Sequence, residues 1–106
     1  MLGAAVFACA LQLWTACGKK GEVTPVSRGA ALYHAHCTAC HAFDPARDGS
    51  LGPAIKGSSL ELLQARVLRA EYPPGYTPRR TTKVMQKLPM TEDDVKDIHA
   101  FLNAAQ

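Results

Sequence analysis

The stretch Cys37-Thr38-Ala39-Cys40-His41 decides how this chain folds, because its reactive side chains are spaced to serve one flat ligand. Positions i, i+3 and i+4 of a helical turn lie on the same face, so Cys37, Cys40 and His41 are predicted to point the same way. Two thiols that can form thioether bonds, followed by an imidazole that can bind iron, are the attachment motif of c-type haem. The motif predicts one covalent haem c, bonded to both cysteines, with His41 as an iron ligand.

The chain is short for a domain stabilised by an apolar core alone. Its 106 residues form one domain at most, and small domains usually need a disulfide, a metal or another crosslink. The haem is predicted to provide that crosslink, so no disulfide is expected from the four cysteines. The formal net charge of +3 is far from that of a nucleic-acid-binding domain. It suits either weak docking on an acidic protein surface or solubility alone.

The first seventeen residues, MLGAAVFACALQLWTAC, carry no charged side chain. The run is shorter than the roughly 20 apolar residues that span a membrane, and it fits a secretory signal better. Residues 15–18 (TACG) resemble a bacterial lipoprotein cleavage site, at which Cys17 would be lipidated. We therefore expect a leader at 1–17 and export to the periplasmic side of a bacterial membrane, with Cys17 as a lipid anchor. A cleaved signal without lipid and an uncleaved anchor remain alternatives.

Residues 18–25 (GKKGEVTP) are predicted to be a flexible tether, because they are polar and contain glycine and proline. The domain is then expected to cover residues 26–106. Apolar residues recur there at helical spacing, and no stretch alternates as a strand would. The predicted helices cover about residues 27–37, 60–69 and the segment after 91, with N-caps at Ser27, at Ser58 or Ser59, and at Thr91.

The iron needs a second axial ligand opposite His41. Methionine is the usual one, since its soft thioether favours ferrous iron and raises the reduction potential. The chain contains Met1, Met85 and Met90, and Met1 lies in the leader. Met85 stands six residues before the Thr91 cap and has slack to reach across a haem. Met90 adjoins the cap and is predicted to be an apolar plug, so Met85 is the predicted ligand and Met90 the fallback.

The order of these residues resembles that of small class I bacterial cytochromes c. The resemblance covers residues 27–104 and is carried by Gly29-x-x-x-Tyr33-x-x-x-Cys37-x-x-Cys40-His41, then Gly52-Pro53, then a methionine before a capped helix. It implies an all-α fold, with about three helices and long loops wrapped around the covalent haem. The family's methionine is often followed by proline, whereas this chain has Gln86 after Met85.

The resemblance also implies roles for individual residues. Gly29 would touch Phe101 of the last helix, and the Pro53 carbonyl would hold His41 in orientation. Tyr33 and Gly52 would support the haem pocket. Further hypotheses concern the haem propionates and edge: Tyr72, Tyr76, Arg79 and Arg80 are candidate propionate contacts, and Lys83 and Lys87 would place positive charge near the exposed edge.

The function implied is that of a monomeric one-electron carrier, not an enzyme, between periplasmic or membrane redox proteins. Two rivals stay open: a labile sixth ligand would give a small-ligand sensor or peroxidase, and tight association would give an electron-entry subunit of a larger oxidoreductase. Two other ligand sets are weighed against the haem assignment. One is a zinc site formed by His34 and His36 with the two cysteines, and the other is a bis-histidine haem that uses a near histidine or His99.

Overall fold

The computed structural model describes Gly3 and residues 23–105; the predicted leader, Cys17 and most of the tether lie outside these residues. The described chain contains helices and no strand. Helix α1 is Pro25–His36, α2 is Leu60–Leu63 continued by a π-helix at Gln64–Leu68, and α3 is Glu92–Leu102. The all-α prediction is confirmed. Within the described part, every helix is too short or too polar to cross a membrane.

Helix α1 begins two residues earlier than predicted. The Thr24 hydroxyl accepts a hydrogen bond from the Ser27 amide at 3.1 Å, and the Ser27 hydroxyl accepts one from the Thr24 amide at 2.9 Å. This capping box stabilises the first turn, and Pro25 adds a preset φ at the first helical position. The prediction of Ser27 as the N-cap was wrong, because Thr24 already caps the helix from within the predicted tether.

Helix α2 widens in its second half. Ser59 caps it by accepting a hydrogen bond from the Leu62 amide at 3.1 Å, as predicted for one of the two serines. The Val67 carbonyl lies in the last turn, where carbonyls have no partner within the helix, and it accepts a hydrogen bond from the Leu88 amide at 2.8 Å. The end of this helix therefore anchors the chain segment that follows Met85.

Helix α3 begins as the sequence predicted. The Thr91 hydroxyl accepts a hydrogen bond from the Asp94 amide at 3.1 Å, and the Asp94 carboxylate accepts one from the Thr91 amide at 3.0 Å. Acidic residues fill the first turn, where the helix dipole favours negative charge. One face of α3 is apolar and buries Val95, Ile98 and Leu102.

Helices α1 and α3 cross at Gly29. A Cβ at Gly29 would overlap the Asp97 carbonyl and would lie 3.0 Å from the Ile98 nitrogen. Backbone of α3 is thus nearest to this glycine, and the predicted contact between Gly29 and the Phe101 ring stays a prediction. Phe101 packs one turn further along and meets Tyr33, with ring centroids 5.5 Å apart. Tyr33 is fully buried, so this crossing forms the centre of the core.

Candidate haem site

The attachment motif forms a helical turn at the end of α1. The Cys37 amide donates to the Tyr33 carbonyl at 2.8 Å, and the His41 amide donates to the Cys37 carbonyl at 2.9 Å. Helix-like pairing therefore continues through the motif. As the spacing predicted, Cys37, Cys40 and His41 all line one cleft.

This cleft brings the attachment motif together with residues from distant parts of the chain. The space between its walls, including the part open to solvent, is about 850 Å³. Its walls come from the attachment turn, the loop after it, α2 with its π-turn, and the segment before α3. The predicted site residues that line it are Cys37, Cys40, His41, Gly52, Pro53 and Met85.

The ring of His41 is held by the backbone of the loop that faces it. Its Nδ1 lies 2.8 Å from the Pro53 carbonyl oxygen. A carbonyl can only accept, so Nδ1 carries the proton of this hydrogen bond, and Nε2 is the ring nitrogen that remains for a metal. Orientation by a carbonyl of this kind is the usual support for a metal-binding histidine. His41 is thus prepared to bind iron through Nε2.

Gly52 allows the loop to approach this ring. A Cβ at Gly52 would lie 2.6 Å from His41 Nδ1 and 2.9 Å from Nε2, closer than any side chain can come. The Gly52 amide donates to the Cys40 carbonyl at 2.9 Å, which fixes the glycine against the attachment turn. The loop therefore fits closely around an imidazole in one orientation, as an iron ligand requires.

The surroundings of the cysteine sulfur also suit an attached macrocycle. Burial raises the pKa of the Cys37 thiol to about 11. A neutral, apolar environment of this kind disfavours a thiolate, and it accommodates the uncharged thioether of a covalent haem. The residues present therefore fit haem c.

Tyr33 stabilises the attachment turn from outside the cleft. It is absent from the cleft wall, and its hydroxyl donates a hydrogen bond to the Ala42 carbonyl, directly after His41. Burial, with contributions from Cys37 and Asp44, raises the pKa of Tyr33 to about 12. The hydroxyl is therefore protonated at neutral pH and remains a donor.

The structure separates the two candidate methionines. Both methionines pack against the buried core, but Met85 lines the cleft, whereas Met90 lies outside its wall. Two main-chain hydrogen bonds hold the segment between them: Leu88 to Val67, and the Met90 amide to the Leu88 carbonyl, each at 2.8 Å. Met85 is thus the methionine that shares the cleft with His41.

The four candidate propionate contacts, Tyr72, Tyr76, Arg79 and Arg80, all reach the cleft. The two tyrosine rings stack with centroids 5.5 Å apart. Arg66 was not predicted to take part, yet its guanidinium lies 4.1 Å from the Tyr72 ring centroid. Arg66 lines the cleft beside these four residues.

The remaining histidines lie away from the cleft wall. His34 stacks on Phe43 with centroids 4.0 Å apart, and His36 is exposed. Within residues 23–105, no three or more His, Cys, Asp or Glu side chains come together as a metal site. The zinc arrangement with His34, His36 and both cysteines is therefore not formed.

A protein-family model described as cytochrome c matches residues 26–106. The chain belongs to the cytochrome c family. Comparisons with curated proteins and with solved structures found no match. Membership implies a covalently bound haem c with its iron, and it supports electron transfer with redox proteins as the general role of this cytochrome.

Proposed function

We propose that this cytochrome c carries single electrons with His41 and Met85 as its two axial ligands. The supporting observation is that both residues, 44 positions apart in the chain, line the same cleft as the attachment cysteines. Haem c, when bound there, supplies a reversible Fe(III)/Fe(II) couple. Residues of the chain must hold the haem and bind its iron.

The ligand residues favour electron transfer over catalysis. His41 is held by Pro53, and a thioether from Met85 favours the ferrous state. With His41 and Met85 both bound to the iron, small molecules would have no free site on the metal, and both oxidation states would keep the same ligands. We therefore expect a carrier without enzymatic activity, and the apolar cleft wall keeps water from the cofactor.

The side chains exposed at the rim of the cleft favour the docking of an acidic partner protein. Leu51 and Val84 expose 48% and 53% of their surface there, and exposed Lys83 and Lys87 flank Met85. An apolar centre beside a charged border is typical of protein interfaces. We place the carrier on the periplasmic side of a bacterial membrane, on the strength of the apolar leader at 1–17, with donor and acceptor proteins in turn at this rim.

Absorption spectra of the matured protein test the carrier function. The ferric form is expected to be low-spin with a weak near-infrared Met–Fe band, and the ferrous form is expected to bind carbon monoxide slowly and incompletely. High-spin ferric iron, or immediate carbon monoxide binding, would instead support the sensor or peroxidase alternative.

Charge reversal tests the docking surface. The double variant Lys83→Glu, Lys87→Glu is expected to slow electron exchange with an acidic redox protein by roughly tenfold at low ionic strength, because charge steers encounter. The difference should vanish at about 1 M salt, where the screening length falls to about 3 Å. Lys96→Glu, on α3 outside the cleft wall, is the matched control and should change the rate little. A rate that is independent of salt would refute this surface.

A further inference from the structure

We propose that Asp48 is a positioning residue for His41, acting through a single peptide group, and that it thereby contributes to the reduction potential. The inference rests on the proposed ligand role of His41. It extends that role to a residue six positions before Ala54, whose amide shares a peptide group with the Pro53 carbonyl that contacts the His41 ring.

The connection runs through the peptide unit between Pro53 and Ala54. Its carbonyl oxygen lies 2.8 Å from His41 Nδ1. Its amide, which belongs to Ala54, donates to the Asp48 carboxylate at 2.9 Å. One planar group thus accepts from the imidazole at one end and donates to a carboxylate at the other.

The two hydrogen bonds reinforce each other. Hydrogen bonds in a chain polarise the groups between them, and an ionised acceptor strengthens the bond that it receives. The Asp48 carboxylate therefore draws the amide proton and increases the negative charge on the Pro53 oxygen. A more negative oxygen accepts more strongly from Nδ1–H, which makes the imidazole a stronger donor to iron and favours Fe(III).

Two arginines join the surroundings of this peptide group to the segment that carries Met85. Arg80 Nη2 lies 3.6 Å from an Asp48 carboxylate oxygen, and Arg79 Nη1 donates to the Ala54 carbonyl at 3.0 Å. Residues 77–87 take part in no main-chain to main-chain hydrogen bond of the described chain. These arginine contacts therefore connect the segment of one proposed ligand with the loop that holds the other.

Asp44 offers a comparison within the same loop. Its carboxylate accepts a hydrogen bond from the Ala46 amide at 2.9 Å and pairs with Arg47 at 3.7 Å. This is a local turn contact, which Asp commonly makes two residues along. Asp48 reaches six residues instead, and its target is the peptide group bonded to His41.

The test compares Asp48→Asn with Asp44→Asn in the matured holoprotein. Each variant removes one negative charge from the same loop, but only Asp48→Asn weakens the polarised peptide. In 1 M salt, which screens exposed charges, Asp48→Asn is expected to shift the ferric–ferrous equilibrium about threefold toward ferrous iron. That is a potential rise of about 30 mV at 59 mV per tenfold change. Asp44→Asn should leave the potential unchanged there.

A second readout follows His41 itself. In the ferrous protein, the Nδ1–H proton resonance is expected to move upfield in Asp48→Asn, because its hydrogen bond weakens, and to stay in place in Asp44→Asn. Equal potential shifts in the two variants, or an unmoved Nδ1–H resonance in Asp48→Asn, would overturn the proposal.

Arg80→Gln provides an independent variant if Asp48→Asn does not fold. It leaves the Asp48 carboxylate without its cation, so the carboxylate accepts more strongly from the Ala54 amide and the His41 Nδ1–H resonance is expected to move downfield. An unmoved resonance in Arg80→Gln would count against the proposal. A wild-type spectrum without Met–Fe features would refute the proposed ligands. If the wild-type spectrum shows the Met–Fe features and Asp48→Asn changes neither the potential nor the Nδ1–H resonance, only the role of Asp48 is refuted.

Discussion

Met85→Ala is expected to abolish the near-infrared Met–Fe band and to lower the reduction potential by on the order of 0.2 V, since axial ligands tune haem over about 0.8 V. The cause is the loss of the soft thioether, which favours ferrous iron. The open position should then bind carbon monoxide at once in the ferrous protein. Optical spectra and a potentiometric titration measure both effects.

Met90→Ala is the matched control for Met85→Ala. Met90 lies outside the cleft wall and packs against the buried core. Its truncation is expected to destabilise the protein by roughly 2 kcal/mol, as for a partly buried methionine, and to leave the Met–Fe band intact. If Met90→Ala removes the band and Met85→Ala keeps it, the assignment of the two residues is reversed.

Gly52→Ala is expected to have the largest effect on the stability of the holoprotein, about 3 kcal/mol, which is the upper end of the usual cost of overpacking. The new Cβ would lie 2.6 Å from His41 Nδ1. The ring and the loop must therefore separate, and the His41–Pro53 hydrogen bond is lost. Denaturant unfolding followed at the haem absorption band measures the change.

Gly57→Ala is the control for this loop. Gly57 has a φ of +80°, and a Cβ there would meet no atom within 4 Å. The substitution is expected to cost about 1 kcal/mol from backbone strain alone and to leave the spectrum unchanged. Equal losses for the two alanine variants would show that ring contact at Gly52 is unimportant.

The attachment site was predictable because its chemistry is local. Cys37, Cys40 and His41 lie within five residues, and the turn that aligns them is one continuous run of backbone hydrogen bonds. The start of α3 was predictable for the same reason, since Thr91 and Asp94 cap it within a single turn. Three-residue and four-residue spacings determine such contacts before the chain has any tertiary structure.

Other features needed the folded chain. The sequence favoured Met85 by its slack, but only the folded chain shows that Met85, and not Met90, lines the cleft with His41. Gly29 fits closely against the backbone of Asp97, a contact that the sequence did not specify. These outcomes depend on how two helices cross and on where one helix widens, and no residue spacing encodes either.

By itself, the sequence predicted the haem cofactor and the all-α class, which the family match and the helices confirm. It also predicted the attachment cysteines and His41 as an iron ligand, because residues at helical spacing can serve one flat ligand. The tertiary structure decided which methionine shares the cleft with His41. It also decided that Asp48 and Arg80 connect the two ligand-bearing segments. Those contacts join residues 32 or more positions apart, so they exist only once the loops have closed around the cleft.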